Sequence, residues 1–538
     1  MIRSLLVLSV LVQVVVAQPS MPEWTVKLEP YDIPGMPQVQ SFASAHVGSD
    51  LLIIGGRRDG LHRFQPPTSF LAADNNTMIF VVDLERRTID SVSVLQLDGP
   101  VADQLQSTNM QFVQDGTQLI LMGGYGYATT VQRHITHPRI SVIDVPGLIA
   151  AIRSAAPISS FVRSAEDQRA AVTGGYLARI GDTLMLVGGH RFDGRYNPMG
   201  GNSFTQRYHE RIFRFTIDTT ATQPALPVIT ELEHHSDPEH LHRRDYNLVP
   251  QVLPDGRHGY TVFSGVFQRD VDLPFLHPVD VTTTSYTPRP EFSQYLNHYH
   301  CASVPVVDSS ATPHQQHTFF FGGMSQYTVA NDGSLLQDDN VPFVRTIARI
   351  SRDNSGTFRE AKIDDLMPDL EGSSAEFVHR HDVPLTDHGV ILGHRLPEDQ
   401  LTAGYHIGYI VGGIRSTAPN IFFQNTGTQS SASASVYKVL VRRSSVTSAS
   451  EIPVHGTHQA SLLRAQIEDT VVSIDLELLA EADVYLRLYD LQGRLLEAFV
   501  GEMEPAGTRT FRLPLRKHRG PVLVAVQAHG RVMTVLTQ

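Results

Sequence analysis

The sequence predicts an all-β chain: a closed ring of six four-stranded antiparallel sheets, then a small Ig-like β-sandwich. Three observations predict it. A hairpin pattern ending in Gly-Gly recurs six times between residues 24 and 442. Forty glycines and 32 prolines, with no collagen period, signal many turns. Long helical periodicity is hard to find, and residues 461–538 read as a run of short strands. With 41% hydrophobic and 18% charged residues, the chain has the apolar content for packed cores.

Each repeat reads as a strand, a tight turn, an apolar strand and Gly-Gly. AHVGSDLLIIGG ends at Gly55-Gly56, FVQDGTQLILMGG at Gly123-Gly124 and ARIGDTLMLVGG at Gly188-Gly189. VLPDGRHGYTVFSG places Ser264 before Gly265, and the last two copies end at Gly322-Gly323 and Gly412-Gly413. Asp-Gly and Gly-Asp pairs supply the positive φ that a tight hairpin turn requires. The uniformly apolar second strand suits burial on both faces between neighbouring sheets. A second hairpin follows, such as Met78–Leu84, a turn at Glu85-Arg86-Arg87, and Thr88–Val94. Ile140, Ile212 and Ile347 open equivalent strands. The unit is four antiparallel strands, the blade of a β-propeller.

These blades resemble the kelch family, in which an apolar run ends in Gly-Gly and a later strand ends near an aspartate. Asp83 and Asp144 stand at that later position. The chain departs from the family in lacking its usual tryptophan late in each blade. The Gly-Gly sites also stand 58 residues apart at the closest (Ser264 to Gly322) and 90 at the widest (Gly322 to Gly412). Kelch repeats run to about 50, so the surplus falls in loops. Trp24 to Leu28, ahead of the first repeat, is expected to supply the outer strand of the last blade beside Val436–Val441, closing a ring of six blades; a seventh, cryptic blade is the alternative.

The ends of the chain point outside the cytoplasm. Arg3, an apolar run from Leu5 to Val16 and small residues to Ala17 read as a signal peptide over 1–17. No later segment has the apolar length of a membrane span. Cys301 is the one cysteine, so no intramolecular disulfide forms, which suits bacterial export better than an animal secretory route. The propeller is expected over 18–442 and a Ser/Thr/His-rich linker over 443–460. Within 461–538, strands are expected at Val471–Leu479, Asp483–Tyr489, Leu495–Val500, Thr508–Leu513, Val522–Gln527 and Val532–Leu536. Val484-Tyr-Leu-Arg-Leu-Tyr-Asp-Leu-Gln-Gly-Arg-Leu-Leu, with Pro505-Ala-Gly507 later, resembles type IX secretion sorting domains. It departs from them at Gly520-Pro521-Val522 and in lacking a basic tail. The resemblance implies a Gram-negative, Bacteroidetes-type source. It also implies the type IX machinery as a partner, passage across the outer membrane, and a surface or extracellular destination.

Propeller topology places the residues after each Gly-Gly on the same face as those opening each inner strand. The first group holds Arg57, Arg58 and His62; Tyr125; His190, Arg191, Arg195 and Tyr196. It continues with Gln268 and Arg269, Gln326 and Tyr327, and Arg415. The second holds Asn109, Arg244, Asp245, His298, His300 and Glu376. A mouth rich in Arg, His and Tyr on a chain of net charge -12 is expected to bind a polar ligand, such as a glycan or sugar acid. The alternative for each side chain is the tying together of loops. His300, Asp245 and Glu376 are the candidates should the mouth be catalytic. His298 and His300 share a strand side and are the weak candidates for a metal, although no spacing matches a metal motif. No cofactor is expected. No Ser-His-Asp signature, phosphate loop or zinc-protease helix is present. Net acidity argues against nucleic acid. The leading expectation is binding of a glycan or protein partner without catalysis. The alternatives are a carbohydrate-active enzyme of sugar-acid-epimerase or oxidase type, and a structural envelope component.

Overall fold

A computed structural model describes residues 23–63, 68–197, 203–218, 227–311, 314–330, 333–422, 425–444 and 449–452. It also describes 460–468, 471–478, 482–490, 495–505, 507–515, 522–528 and 531–537. The proposed signal peptide lies outside these residues. The chain forms two compact units, one ending at Ile452 and one beginning at Pro453.

The first unit is a six-bladed propeller. Blade one comprises Ala43–Val47, Asp50–Ile54, Met78–Asp83 and Thr88–Ser93, paired in chain order. Blade two comprises Thr108–Asp115, Gln118–Ala128, Arg139–Asp144 and Val162–Glu166, and blade three Tyr176–Ile180, Thr183–Val187, Arg211–Ile217 and Ile229–Glu231. Blade four comprises Asn247–Val252, His258–Phe263, Val279–Val281 and Tyr286–Pro288, and blade five Ser303–Asp308, Gln315–Phe321, Thr346–Asp353 and Phe358–Leu366. Blade six comprises Glu376–His379, Tyr405–Val411 and Val436–Ser444, and its outer strand is Glu23–Pro30. That pairing runs from Glu23 opposite Ser444 to Pro30 opposite Tyr437, so the first described strand closes the ring.

The apolar second strands explain why the blades stack. Leu51, Leu52, Ile53 and Ile54 are all fully buried, alternate residues facing opposite neighbours. Leu52 and Ile54 join Leu119 and Leu121 of blade two, while Leu51 and Ile53 join Tyr409 and Val411 of blade six. Close backbone approach explains the Gly-Gly signature. Gly123 has φ +65, and a Cβ there would stand 1.9 Å from the Val172 carbonyl oxygen.

The structure adds features that the repeat pattern did not predict. Short helices occupy Gly99–Leu105 and Val145–Arg153. Small hairpins rise beyond several Gly-Gly sites: His190–Gly194 with Phe204–Tyr208, Tyr327–Val329 with Leu335–Gln337, and Ile414–Ser416 with Ser430–Ala432. The long interval before Gly412 is taken up partly by a segment whose Ile391–Leu392 pairs parallel with Val306 and Val307. The linker expected over 443–460 is corrected. Blade six runs to Ser444, Ala449–Ile452 adds a fifth strand to the outer edge of blade five, and Ala460–Glu468 is a strand of the second unit. No helix among the described residues is long and apolar enough to cross a membrane.

The second unit is a β-sandwich. One sheet holds Ala460–Glu468, Val471–Leu478 and Gly507–Pro514, and the other Leu495–Glu504, Ala482–Tyr489, Val522–Ala528 and Arg531–Thr537. Val472, Ile474 and Leu476 alternate inward from the first sheet and meet Val484, Leu486, Leu488, Val524 and Val526 of the second.

Candidate functional site at the propeller mouth

At or just before the start of each inner strand, the backbone takes a left-handed turn. The residues are Ser41, Asn109, Gly174, Asp245, His300 and Ser374, one per blade, with φ between +45 and +64. Five are not glycine, and such conformations cost roughly 1–3 kcal/mol each. They are held by one another. Asn109 N–H donates to the Ser41 carbonyl (3.1 Å), Ser41 to Ser374 (3.3 Å), Ser374 to His300 (2.5 Å) and Asp245 to Gly174 (2.8 Å). The result is a collar around the axis, made from neighbouring blades.

Above the collar lies a cavity of about 140 Å³ to which all six blades contribute. Its walls are aromatic: His62, Phe70, Tyr125, Phe192, Tyr196, Phe267, Tyr299 and Phe422. Phe70 and Tyr125 meet edge to face at 5.0 Å, as do Tyr125 and Phe192 at 5.2 Å and His62 and Tyr196 at 4.6 Å. The Tyr125 hydroxyl donates to the Gly194 carbonyl at 2.7 Å, fixing the ring against the hairpin of blade three. The floor is polar, with Gln40, Thr108, Thr173 and Ser373 beside the collar. Arg244 is the one arginine or lysine among the described lining residues. Its guanidinium meets Asp245 Oδ2 at 3.2 Å and the Tyr208 hydroxyl at 3.2 Å, and lies over the Phe267 ring. Two buried acceptors of the collar, Asn109 Oδ1 and Asp245 Oδ1, have no hydrogen-bond donor.

Burial shapes the titration of the site. It holds His62 down to about 4, with Arg244 adding to the effect. It lowers His190 well below its ordinary value and lowers His300 too, against the pull of Asp245. Beneath the collar a smaller void of about 20 Å³ reaches Tyr176 and Glu376. Burial pushes the Glu376 carboxyl up to about 8, so it is neutral at physiological pH.

The structure brings together only some of the residues expected at the mouth. Tyr125, His190 and Tyr196 line the cavity, with His62, Asn109, Arg244, Asp245 and His300. Glu376 lies deeper. The other arginines are elsewhere. Arg57 is buried and grips Asp59 through Nε and Nη2, each at 2.7 Å, and its guanidinium backs the Phe70 ring. Arg191 pairs with Asp193 at 2.7 Å and Arg415 with Asp369. Arg58 borders a separate hollow beside Met78 and Phe80. Arg195, Gln268 and Arg269 are not in the cavity wall, and Gln268 donates to the Pro274 carbonyl. Gln326 donates to Asp339 at 2.8 Å, and Tyr327 packs on Tyr295. His298 is wholly buried outside the cavity, and burial lowers it to about 4. Among the described residues no three His, Cys, Asp or Glu side chains gather in a group able to hold a metal.

Phe70, Phe192, Phe267 and Phe422 stand outside the residues expected at the mouth, none of which is a phenylalanine. Phe192 carries a readable signal, standing two residues after His190 on one strand. The collar is readable too, as the residue two before Ala43, Gln111, Tyr176, Asn247, Ala302 and Glu376.

No known sequence family matches this chain, and no curated protein does. Among solved structures, one described as "Structure of YjhT" aligns with 76% of this chain and 99% of its own, at a TM-score of 0.41 and 9% identity. At that level the likeness bears on neither fold nor function, and the propeller stands on its own strand registers.

The buried groups set a pH dependence. Folded His46, His62, His137, His209, His298 and His406 titrate near 4, below an unfolded histidine. Their contribution to stability is lost as pH falls from about 6.5 towards 4. Glu376 and Glu360 are raised to about 8 by burial, so the folded state keeps protons that the unfolded chain has released, and stability falls as pH rises towards 8. Between about pH 7.5 and 8.5, where unfolded histidines are already nearly neutral, the carboxyls dominate. The melting temperature is expected to decline over that interval, and Glu376→Gln to flatten the decline. A variant curve parallel to that of the wild type would show that Glu376 is already ionised.

Proposed function

We propose that this protein is an exported propeller of kelch type that binds a carbohydrate in its axial cavity. One observation carries the reading: the cavity combines aromatic walls with a floor of hydroxyl and amide groups and two unpaired buried acceptors. Aromatic faces suit the C–H faces of a sugar ring, and neutral hydrogen-bonding groups suit its hydroxyls. The kelch assignment is supported by the Gly-Gly sites and by the aspartates ending the third strands at Asp83 and Asp144. Export is supported by the signal-like start and by the sorting-domain resemblance of 461–538, whose turn at 491–494 lies outside the described residues.

The test uses the full mature chain. Saturation-transfer NMR with monosaccharides and their methyl glycosides at millimolar concentration is expected to show contact. Tyr125→Ala, which removes a wall, is expected to weaken it about tenfold or more. Silence across the panel would leave the protein-partner and envelope-scaffold readings. Export is tested in a bacterium with type IX secretion, where the full chain is expected outside the cell and a chain ending at Ile452 inside it; equal release of both would sink the sorting assignment.

A second reading is catalysis from the same mouth. It is favoured by Glu376, a neutral acid in the void below His300 and Asp245. Conversion of a retained sugar, abolished by Glu376→Gln, would establish it.

A further inference from the structure

Asp245 concentrates several unfavourable features in one side chain. Its backbone is left-handed, at φ +52. Its Oδ1 is buried and has no hydrogen-bond donor, with His300 Nδ1 4.0 Å away. The neighbouring blade makes room for it with a glycine: a Cβ on Gly174 would stand 2.9 Å from Oδ1 and 3.3 Å from Arg244 Cβ. The orphan acceptor disfavours a carboxylate here on structural grounds, and the glycine opposite gives it the room to stay. Asp245 nevertheless lines both the cavity and the void below it.

Its effect on the cavity is electrostatic. Arg244 is the one cation in the described wall, and Asp245 Oδ2 meets it directly. Three of the arginines expected at the mouth are committed elsewhere, Arg57 to Asp59, Arg191 to Asp193 and Arg415 to Asp369. What remains at the floor are acceptors, Asp245 Oδ1 and Asn109 Oδ1. A ligand carboxylate placed above them would face a like charge in a site of low dielectric.

We infer that Asp245 is the specificity-determining residue of the axial cavity, selecting neutral, hydroxyl-bearing sugars and excluding sugar acids by cancelling the charge of Arg244. This rests on the carbohydrate reading and sharpens it against the sugar acid expected from the arginine-rich sequence.

The experiment compares methyl β-glucopyranoside and methyl β-galactopyranoside with glucuronic and galacturonic acids, by NMR titration of the full mature chain. The wild type is expected to bind a neutral glycoside at least about tenfold more tightly than the matching acid. Asp245→Asn keeps the shape and removes the charge. It is expected to improve acid binding by about tenfold and to change neutral binding by no more than about threefold. The ratio of the two affinities is the decisive readout, because a merely destabilised site would weaken both, and a melting curve of the variant checks its fold. A wild type that prefers the acid overturns the inference and leaves the carbohydrate reading intact. An unchanged ratio in a folded Asp245→Asn protein overturns it as well. A wild type that binds none of the four fails the carbohydrate reading itself, and the inference with it.

Discussion

Trp24→Ala is expected to lower the unfolding free energy by about 3–5 kcal/mol, as for other large aromatic truncations in cores. Trp24 is 1% exposed and sits among Val304, Val306, Phe319 and Ile407, at the junction of blades five and six. Its indole N–H donates to Asp308 Oδ2 at 3.0 Å, and Arg349 Nη1 donates to its carbonyl at 2.6 Å. The substitution therefore opens a cavity, orphans part of a buried carboxylate and loosens the strand that closes the ring. Urea unfolding followed by circular dichroism reads the effect. Trp24 is the one tryptophan, so its fluorescence in the wild type reports on the seam itself. A midpoint shift worth less than about 1 kcal/mol would show that the seam contributes little to stability.

The second large effect is expected from Asp280→Ala. Asp280 on blade four receives Arg352 of blade five through both oxygens, at 2.9 and 2.8 Å, with both side chains nearly sealed from solvent. Arg289 Nε and Thr261 Oγ1 complete its shell, each at 2.7 Å. Removing one partner of a buried pair leaves the other charge stranded, at a cost of about 3–5 kcal/mol. Adding Arg352→Met is expected to restore part of that loss, because the stranded guanidinium is gone. A double variant no more stable than Asp280→Ala alone would place the loss in packing rather than in the stranded charge.

Much of the fold was legible because its signals are local. Leu184 to Val187 reads as a strand sealed on both faces, and Gly181-Asp182 turns the chain just before it. Even the closing strand was readable, since Trp24 to Leu28 has apolar alternation and no other place in a six-blade count. The linker was misread for a physical reason. Ser and Thr suit an exposed edge strand as well as a loop, and Ala449–Ile452 is recruited by the free outer edge of blade five, which local composition does not reveal.

The site was less legible, and the arginines show why. A run such as Arg57-Arg58 gives charge but not partner. Asp59, two residues away, turns Arg57 inward as a brace behind Phe70, and Asp193 does the equivalent for Arg191. Charge census therefore suggested an anion-seeking mouth, whereas pairing leaves an aromatic one. Apart from Phe192, the wall phenylalanines carried no signal in the sequence, because a Phe in a core strand and a Phe in a cavity wall have the same composition. For Phe192 and Phe422 the hairpins rising after Gly189 and Gly413 decide which is which.

The seam between Glu23–Pro30 and Val436–Ser444 also bears on kinetics. The two strands pair across almost the entire length of the propeller, so this contact has the greatest loop-closure entropy of any blade pairing and is expected to form late. Until it does, blade six carries an open edge able to recruit a strand from another molecule. A chain synthesised from its N-terminus presents Glu23–Pro30 long before its partner exists. Productive folding thus depends on keeping that first strand unengaged until the last blade arrives, which makes folding yield, more than the final stability of the ring, the quantity most sensitive to crowding.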